Sequence, residues 1–444
     1  MRDSAEVFQQ VLDAARAIGV TEVEAIVTSE TQALTRFANN TIHQNVAERM
    51  SGLSIRPVID GRTARASTNR LDAASIRAAV EEAVAITRLT EAEADLLPLA
   101  EPSEIVPAPR HVTATAQASP AHRAECVAEA IAAVESHGQT AAGAYCTNES
   151  EFALYHSRGV QALHRETMAR FSITAMAPDS SGWAKASACD HREISPRALA
   201  ESAARKAVQS RAPRELEAGR YTVILEPAAV LDLVGQMFMD FSATAIRDGR
   251  SFLNDRIGKK LFGDNITIRD DAHHPAQSGS PFDGEGLARR VLRLVDRGTV
   301  REIAYSRQAA AQAGVEPTGH GFPLPNEMGE APVNIVIEGG ETSLEEMIAE
   351  AKRAILVTRL WYIREVDPYE KIFTGMTRDG TFLVEDGRIT AGLRNFRFNQ
   401  SLIEMLGHVE RMSPAVRASG EETFDMVVPA MQVAGFNFTE VTRF

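Results

Sequence analysis

The densest set of metal-capable side chains is Asp270, Asp271, His273 and His274, followed by Asp283 and Glu285. Carboxylates and imidazoles are the groups that hard and borderline cations take as ligands. Their spacing argues against one shared ion. Asp270 and Asp271 end a strand-like run, 265–271, and consecutive strand residues point to opposite faces. Both reach one ion only if the chain turns there, so an exposed turn is the expectation. A metal-dependent enzyme built on Asp270, His273 and His274 is the bolder reading. A second candidate is the loop Pro317-Thr318-Gly319-His320-Gly321, where two glycines around a histidine let another backbone approach closely. Thr318, Gly319, His320 and Gly321, with Trp361, are the candidates for lining a substrate site. Trp361 lies in the run Leu360–Arg364, which reads as sheet packing or as an interface or peptide groove. A third set, Asp232, Gln236 and Asp240, recurs every fourth residue on one helix face. Carboxylates at i and i+8 lie roughly 12 Å apart along the axis. That is too far for one metal or one acid–base pair, so the stripe reads as a polar face toward solvent, a cavity or a partner. The sequence holds no Walker A, G-x-S-x-G or H-E-x-x-H, and no G-x-G-x-x-G in a suitable context.

These residues need elements to position them. The central one is the helix of Glu226–Ile246, apolar on most sides through Val230, Leu231, Leu233, Val234, Met237, Phe238 and Phe241. Such a helix is expected between two layers. Upstream, helical spacing over 4–19 is followed by strand-like runs at 22–28, 33–37, 41–48, 52–59 and 63–67, then a helix over 72–89. Asn39-Asn40 and Asp60-Gly61 supply turns. Residues 90–118, acidic and then rich in Pro, Ala and Thr, read as a linker. The order then repeats: a helix over 120–137, runs at 140–147, 151–156, 161–167, 170–177 and 182–188, and a helix over 195–210, with Asn148-Glu149 as one turn. The expected fold is α+β. An N-terminal domain, 1–212, is built from two similar helix/antiparallel-strand halves (about 1–89 and 119–212, linker 90–118). A β-rich C-terminal domain, 213–444, follows, with turns at Asp379-Gly380 and Asp386-Gly387.

A net charge of −13 argues against nucleic-acid binding, which needs a basic face to neutralise phosphates. Cys126, Cys146 and Cys189 are odd in number and far apart, and read as small buried thiols in a reducing compartment. No apolar run approaches the ~20 residues that span a bilayer, and the N-terminus has no signal-peptide core. A cytoplasmic protein without a membrane partner is the expectation.

Several short motifs, taken in order, carry a resemblance. They are Arg36-Phe37-Ala38-Asn39-Asn40 with Ile42 and Gln44, Ser251-Phe252, Ile257-Gly258-Lys259, Asp270-Asp271, and Asp283-Gly284-Glu285-Gly286. Pro317–Gly321, Thr377-Arg378-Asp379-Gly380-Thr381-Phe382 and Glu385-Asp386-Gly387-Arg388-Ile389 complete the set. In this order and spacing the chain resembles the TldD/PmbA family, once described as modulators of DNA gyrase, over nearly its whole length. The resemblance implies a two-domain α+β subunit, a dimer enclosing a cavity, and a zinc-dependent peptidase in which TldD pairs with TldE. In the TldD branch an H-E-x-x-x-H helix and a late cysteine would form the zinc site. Counting back from Ser251, Val234, Gly235 and Met239 stand where that helix has its His, Glu and His, and the late segment 425–435 has no cysteine. The resemblance therefore implies the TldE/PmbA branch. That is a non-catalytic subunit with no catalytic residue, metal or cofactor of its own, zinc being expected in a TldD-like partner that cleaves small or unfolded peptides. The alternative is a stand-alone peptide-binding or scaffold homodimer.

Overall fold

A computed structural model describes residues 3–442. Helix α1 (Ser4–Ala17) starts where the Asp3 carboxylate accepts the Ala5 N–H, and its buried stripe is Val7, Val11 and Ala15. Two long strands follow, β1 (Val23–Ala38) and β2 (Thr41–Ile59), then the short β3 (Arg62–Thr63) and β4 (Ala66–Thr68), and α2 (Ala73–Leu89) capped by Asp72. The β1–β2 turn puts Asn39 and Asn40 at φ 50° and 59°, the conformation that a two-residue hairpin with the native twist requires. The segment 90–118 is irregular apart from α3 (Thr113–Ala116). Then come α4 (Pro120–Glu135), β5 (Thr140–His156), β6 (Gln161–Ala177), β7 (Ser180–Ala188) and α5 (Pro196–Gln209).

The two halves meet through β1 and β5, which pair antiparallel along almost their full length and join both into one seven-stranded sheet. Each expected pair of short runs is thus one long strand, and Asn148-Glu149 is not a turn. The polar stretch Glu30-Thr31-Gln32 on β1 lies opposite Ser150, Glu149 and Asn148 on β5. These residues read as breaks because they are polar and only half-buried, yet their backbone stays in the ladder. Residues 25 and 27 on β1 face α1 and α2, while 37 on β1 and 141 and 145 on β5 face α4 and α5. Equal parity along a strand means one face, so both helix pairs cover the same side of the sheet. The opposite side presents Ile26, Leu154 and Ala162 to Phe282 of the C-terminal domain.

The C-terminal domain begins with β8 (Gly219–Leu225), α6 (Pro227–Val234), a 3-10 turn (Gly235–Asp240) and α7 (Ala243–Arg247). It continues through β9 (Ile268–Asp270), β10 (Leu292–Asp296), β11 (Thr299–Val300), α8 (Arg307–Ala313), β12 (Ile335–Ile337) and α9 (Leu344–Glu350). The remainder is β13 (Arg353–Asp367), β14 (Ile372–Glu385), β15 (Arg388–Gly392), β16 (Phe396–Ser401), α10 (Leu402–Gly407), β17 (Val409–Met412), β18 (Val416–Ala418), β19 (Met426–Val428) and β20 (Met431–Val441). Strands β13, β8, β20, β16 and β14 pair in sequence, and β14 pairs back to β13, so the ring closes. A second, six-stranded sheet runs β11-β10-β9-β12-β19-β18. Helix α6 is buried between the ring and this sheet, in one apolar cluster with Val223, Val357, Phe398, Ile335 and Val428. The α+β class, the two-halved N-terminal domain and the β-rich C-terminal domain are as expected. Asp386-Gly387 does turn the chain between β14 and β15, but Asp379-Gly380 lies inside β14, where a register shift against β13 makes a bulge. The three cysteines are free and half-buried rather than buried.

Candidate functional site

The long helix expected over 226–246 is broken. After α6 the backbone tightens into the 3-10 turn at Gly235, where an added Cβ would lie 2.5 Å from Thr423 Oγ1. Thr423 belongs to a segment, 420–423, that crosses the end of α6, and its hydroxyl donates to the Leu231 carbonyl. Val234 and Gly235 are buried under it, and Met239 is exposed. The break also dissolves the polar stripe, because the residues no longer share an α-helical face. Asp232 is fully buried and accepts the Glu421 and Glu422 N–H groups, both at 2.9 Å, through one oxygen. Its other oxygen has no hydrogen-bond partner among the described residues. Burial pushes the Asp232 carboxyl up to about 6, against those two bonds. Gln236 donates to the Asp232 carbonyl. Asp240 accepts the Phe252 N–H at 3.1 Å and pairs with Lys371 at 2.6 Å, while burial pushes its carboxyl up. Two members of the stripe are therefore internal anchors.

Asp232 is what holds the 420–423 segment in place. An Ala at 420 would set its Cβ 2.0 Å from Asp232 Oδ1 and 2.6 Å from Leu231 Cδ2. Gly420→Ala is expected to loosen the segment alone. Hydrogen exchange at the Glu421 and Glu422 amides should quicken by about tenfold or more, equivalent to ~1.4 kcal/mol, with the amides of α6 unchanged.

Zinc requires imidazole, thiolate or carboxylate ligands. An aliphatic Val234, a side-chain-free Gly235 and the thioether of Met239 do not fit it, and Thr423 fills the space above Gly235. Strand β19 and the start of β20, which carry the late segment, add only apolar side chains, Gln432 and no thiol. Among the described residues, no three His, Cys, Asp or Glu side chains gather as a metal would need.

Asp270 is not in an exposed turn. It is fully buried at the end of β9, accepts the Val333 and Asn334 N–H groups at 2.6 and 2.8 Å, and faces His320 Nε2 at 3.2 Å. An edge position would have exposed it, but β9 is an inner strand flanked by β10 and β12. His273 is exposed and His274 half-buried, so neither joins Asp270. Thr318, Gly319, His320 and Gly321 are all buried. The Thr318 hydroxyl bonds Tyr305, His320 Nδ1 lies 2.9 Å from the Thr318 carbonyl, and the Gly321 N–H donates to Asp283 Oδ2 at 2.8 Å. This loop is an internal hub, next to the seam with the N-terminal domain.

Trp361 stands apart from that hub, on β13. The Arg359 guanidinium lies between two rings, 4.9 Å from the Trp183 centroid and 5.3 Å from that of Trp361. Arg359 Nε donates to Asp379 Oδ2 at 2.9 Å, and Ser181 Oγ reaches Asp379 Oδ1 at 2.5 Å. The β13–β14 register shifts between Trp361 and Arg364, and Tyr362 is held at φ 56° with its N–H donated to Glu422 at 2.7 Å. A bulky residue in the left-handed region is strained. Glu422 neighbours the Thr423 that caps Gly235, so this strained corner adjoins the broken helix. A cleft of about 550 Å³ opens at Asp379, away from Tyr362, and is lined also by Ser181, Gly380, Arg394 and Asn395. Arg359, Trp183 and Glu422 carry no local signal, since 178 residues separate the two tryptophans, and Arg378 stands only in a motif of the family resemblance.

Three family profiles cover most of the chain. Residues 23–87 match PmbA/TldA metallopeptidase domain 1, residues 114–211 its central domain, and residues 218–440 its C-terminal domain. A metalloprotease of Methanothermobacter thermautotrophicus is 25% identical over 289 residues, 60% of each chain. Metalloprotease PmbA of Escherichia coli O157:H7 is 23% identical over 236 residues, 52% of this chain and 50% of that one. The chain spans about half to three fifths of the length of these curated relatives. The fold is shared with TldE from Thermococcus kodakarensis, at TM-score 0.88 and 21% identity over 98% of this chain and 100% of that one. It is shared equally with a Thermotoga maritima protein described as a candidate modulator of a DNA gyrase, at TM-score 0.87 and 20% identity over the same shares. With all three domains present in order, the chain belongs to the PmbA/TldD metallopeptidase family.

Proposed function

We propose that this chain is a TldE-like, non-catalytic subunit of a zinc metallopeptidase complex that cleaves small or unfolded peptides. The observation that carries the reading is the filled helix end. Val234, Gly235 and Met239 offer no zinc ligand, and Thr423 occupies the space over Gly235. Its role is to complete a dimer with a zinc-bearing, TldD-like partner and to help hold an extended peptide. The described helices include none long and apolar enough to cross a membrane, and the place of action is proposed to be the cytoplasm.

The test is co-purification with a partner carrying H-E-x-x-x-H, followed by peptidase assays of each chain and of the mixture. The expected result is no chelator-sensitive activity from this chain alone and a gain on mixing. Chelator-sensitive activity in this chain alone overturns the reading. A stable homodimer that ignores the partner would instead favour a stand-alone peptide-binding scaffold.

A further inference from the structure

We propose that Arg378, laid on the ring of Trp361, is a subsite for the carboxylate of an extended peptide. This subsite rests on the reading of the chain as a peptide-handling subunit and specifies what such a subunit selects. Arg359 on β13 lies directly opposite Arg378 on β14. Like charges facing each other across a strand pair repel, so the pair calls for anions. One carboxylate, Asp379, serves both. It takes Arg359 closely, through Nε and Nη2, and stands 3.5 Å from Arg378 Nε.

The surrounding charges are otherwise matched. Lys185 pairs with Glu421 at 3.2 Å, and Lys371 with Asp240 at 2.6 Å and Glu365 at 2.7 Å. Glu422 takes the Tyr362 N–H and lies 3.9 Å from Arg364. Arg378 shares its counterion with the buried Arg359, and its side chain is 46% exposed. It sits 4.9 Å from the Trp361 centroid, which holds the planar fork in one orientation. A fixed fork matches a carboxylate through two parallel N–H bonds. The strained Tyr362 and the β13 bulge lie one residue on, and strain of this kind collects at binding sites. Glu422, which takes the Tyr362 N–H beside Trp361, disfavours a doubly charged phosphate more than a singly charged carboxylate.

That carboxylate belongs either to the peptide's C-terminus or to an Asp or Glu side chain. Both tryptophans of the chain, Trp183 and Trp361, flank Arg359, so intrinsic fluorescence reports this corner alone. The full chain is titrated with three unstructured Gly/Ser hexapeptides: one with a free C-terminus, one amidated, and one amidated with a single internal aspartate. Saturable change in Trp emission is expected with the free acid, with the plain amide weaker by about tenfold or more. The aspartate peptide tells terminal from side-chain recognition, since it binds like the acid only if side chains are accepted.

Arg378→Gln should bring the acid down to the level of the amide, and Arg378→Lys should restore part of the difference. Equal binding of acid and amide, no response to any peptide, discrimination surviving in Arg378→Gln, or inorganic phosphate outcompeting acetate overturns the proposal. Cleavage by the mixture with the zinc-bearing partner separates the two readings. Activity gained with no preference for the acid removes the subsite and leaves the subunit. A preference in the fluorescence with no gain on mixing does the reverse.

Discussion

Glu330→Ala is expected to lower the stability of the chain by about 3–5 kcal/mol. Glu330 is fully buried, and its carboxylate accepts Ser242 Oγ at 2.7 Å, the Thr244 N–H at 2.8 Å, Thr244 Oγ1 at 3.2 Å and the Ser306 N–H at 3.1 Å. Ser242 and Ser306 are the N-caps of α7 and α8, so one carboxylate ties two helix starts together. Alanine leaves four donors without an acceptor in a site that water does not reach, and each orphan costs its desolvation. Glu330→Gln keeps the volume but turns one acceptor into a donor, so it should fall between the two. Urea denaturation of the three proteins measures this. An alanine variant within ~0.5 kcal/mol of the parent, the range of ordinary surface substitutions, would mean the carboxylate is not the tie. The site corner at Tyr362 lies on other elements, so the Trp emission of a folded Glu330→Gln protein should match that of the parent.

How much of this was legible depends on whether the signal is local. The Asn39-Asn40, Asp60-Gly61 and Asp386-Gly387 hairpins and the apolar first half of the 226–246 helix are written in adjacent residues and emerged where expected, while Asp379-Gly380 became a bulge. Strand length was not legible. The polar middles of β1 and β5 look like breaks one at a time and make sense only when Thr31 is seen opposite Glu149. Asp270 and His320 were each flagged, but for the wrong neighbours. Their pairing is made by the fold across 50 residues, while the adjacent His273 points outward. The Asp232, Gln236 and Asp240 stripe assumed an unbroken helix, and the chain tightens at Gly235 because a distant Thr423 presses there. That Val234, Gly235 and Met239 carry no imidazole, thiolate or carboxylate can be read at once, since residue type is local. The Arg359–Trp183–Trp361–Arg378 stack was invisible, since its members come from two domains.

The second large effect concerns pH. Asp283 and Glu285 are buried in the loop that carries Phe282 to the N-terminal sheet, where Phe282 stacks on Phe152 at 5.4 Å. Two carboxylates so placed do not both ionise. Asp283 accepts the Glu285, Leu287 and Gly321 N–H groups at 2.8–2.9 Å, whereas Glu285 accepts only that of Arg307, at 2.9 Å. Burial pushes both carboxyls up; the three N–H bonds favour the charge on Asp283, and burial together with that charge pushes the Glu285 carboxyl up to about 8, with Arg307 and Arg56 opposing. The folded chain then holds a proton that the unfolded chain gives up near the ordinary value of 4.5. This contribution to stability is complete below that value, and it is lost as pH rises toward 8 at up to ~1.4 kcal/mol per pH unit. Asp232, raised to about 6, acts in the same direction but is spent by neutral pH, so the window from 7 to 8 isolates the Asp283–Glu285 pair. Glu285→Gln keeps an oxygen for the Arg307 N–H and removes the titration. Its urea midpoint should change little between pH 7 and 8.5 while that of the parent falls, leaving the variant the more stable protein at the upper end. Parallel declines in the two proteins would show that Glu285 ionises normally. The loop that presses Phe282 onto the N-terminal sheet would then owe nothing to the proton.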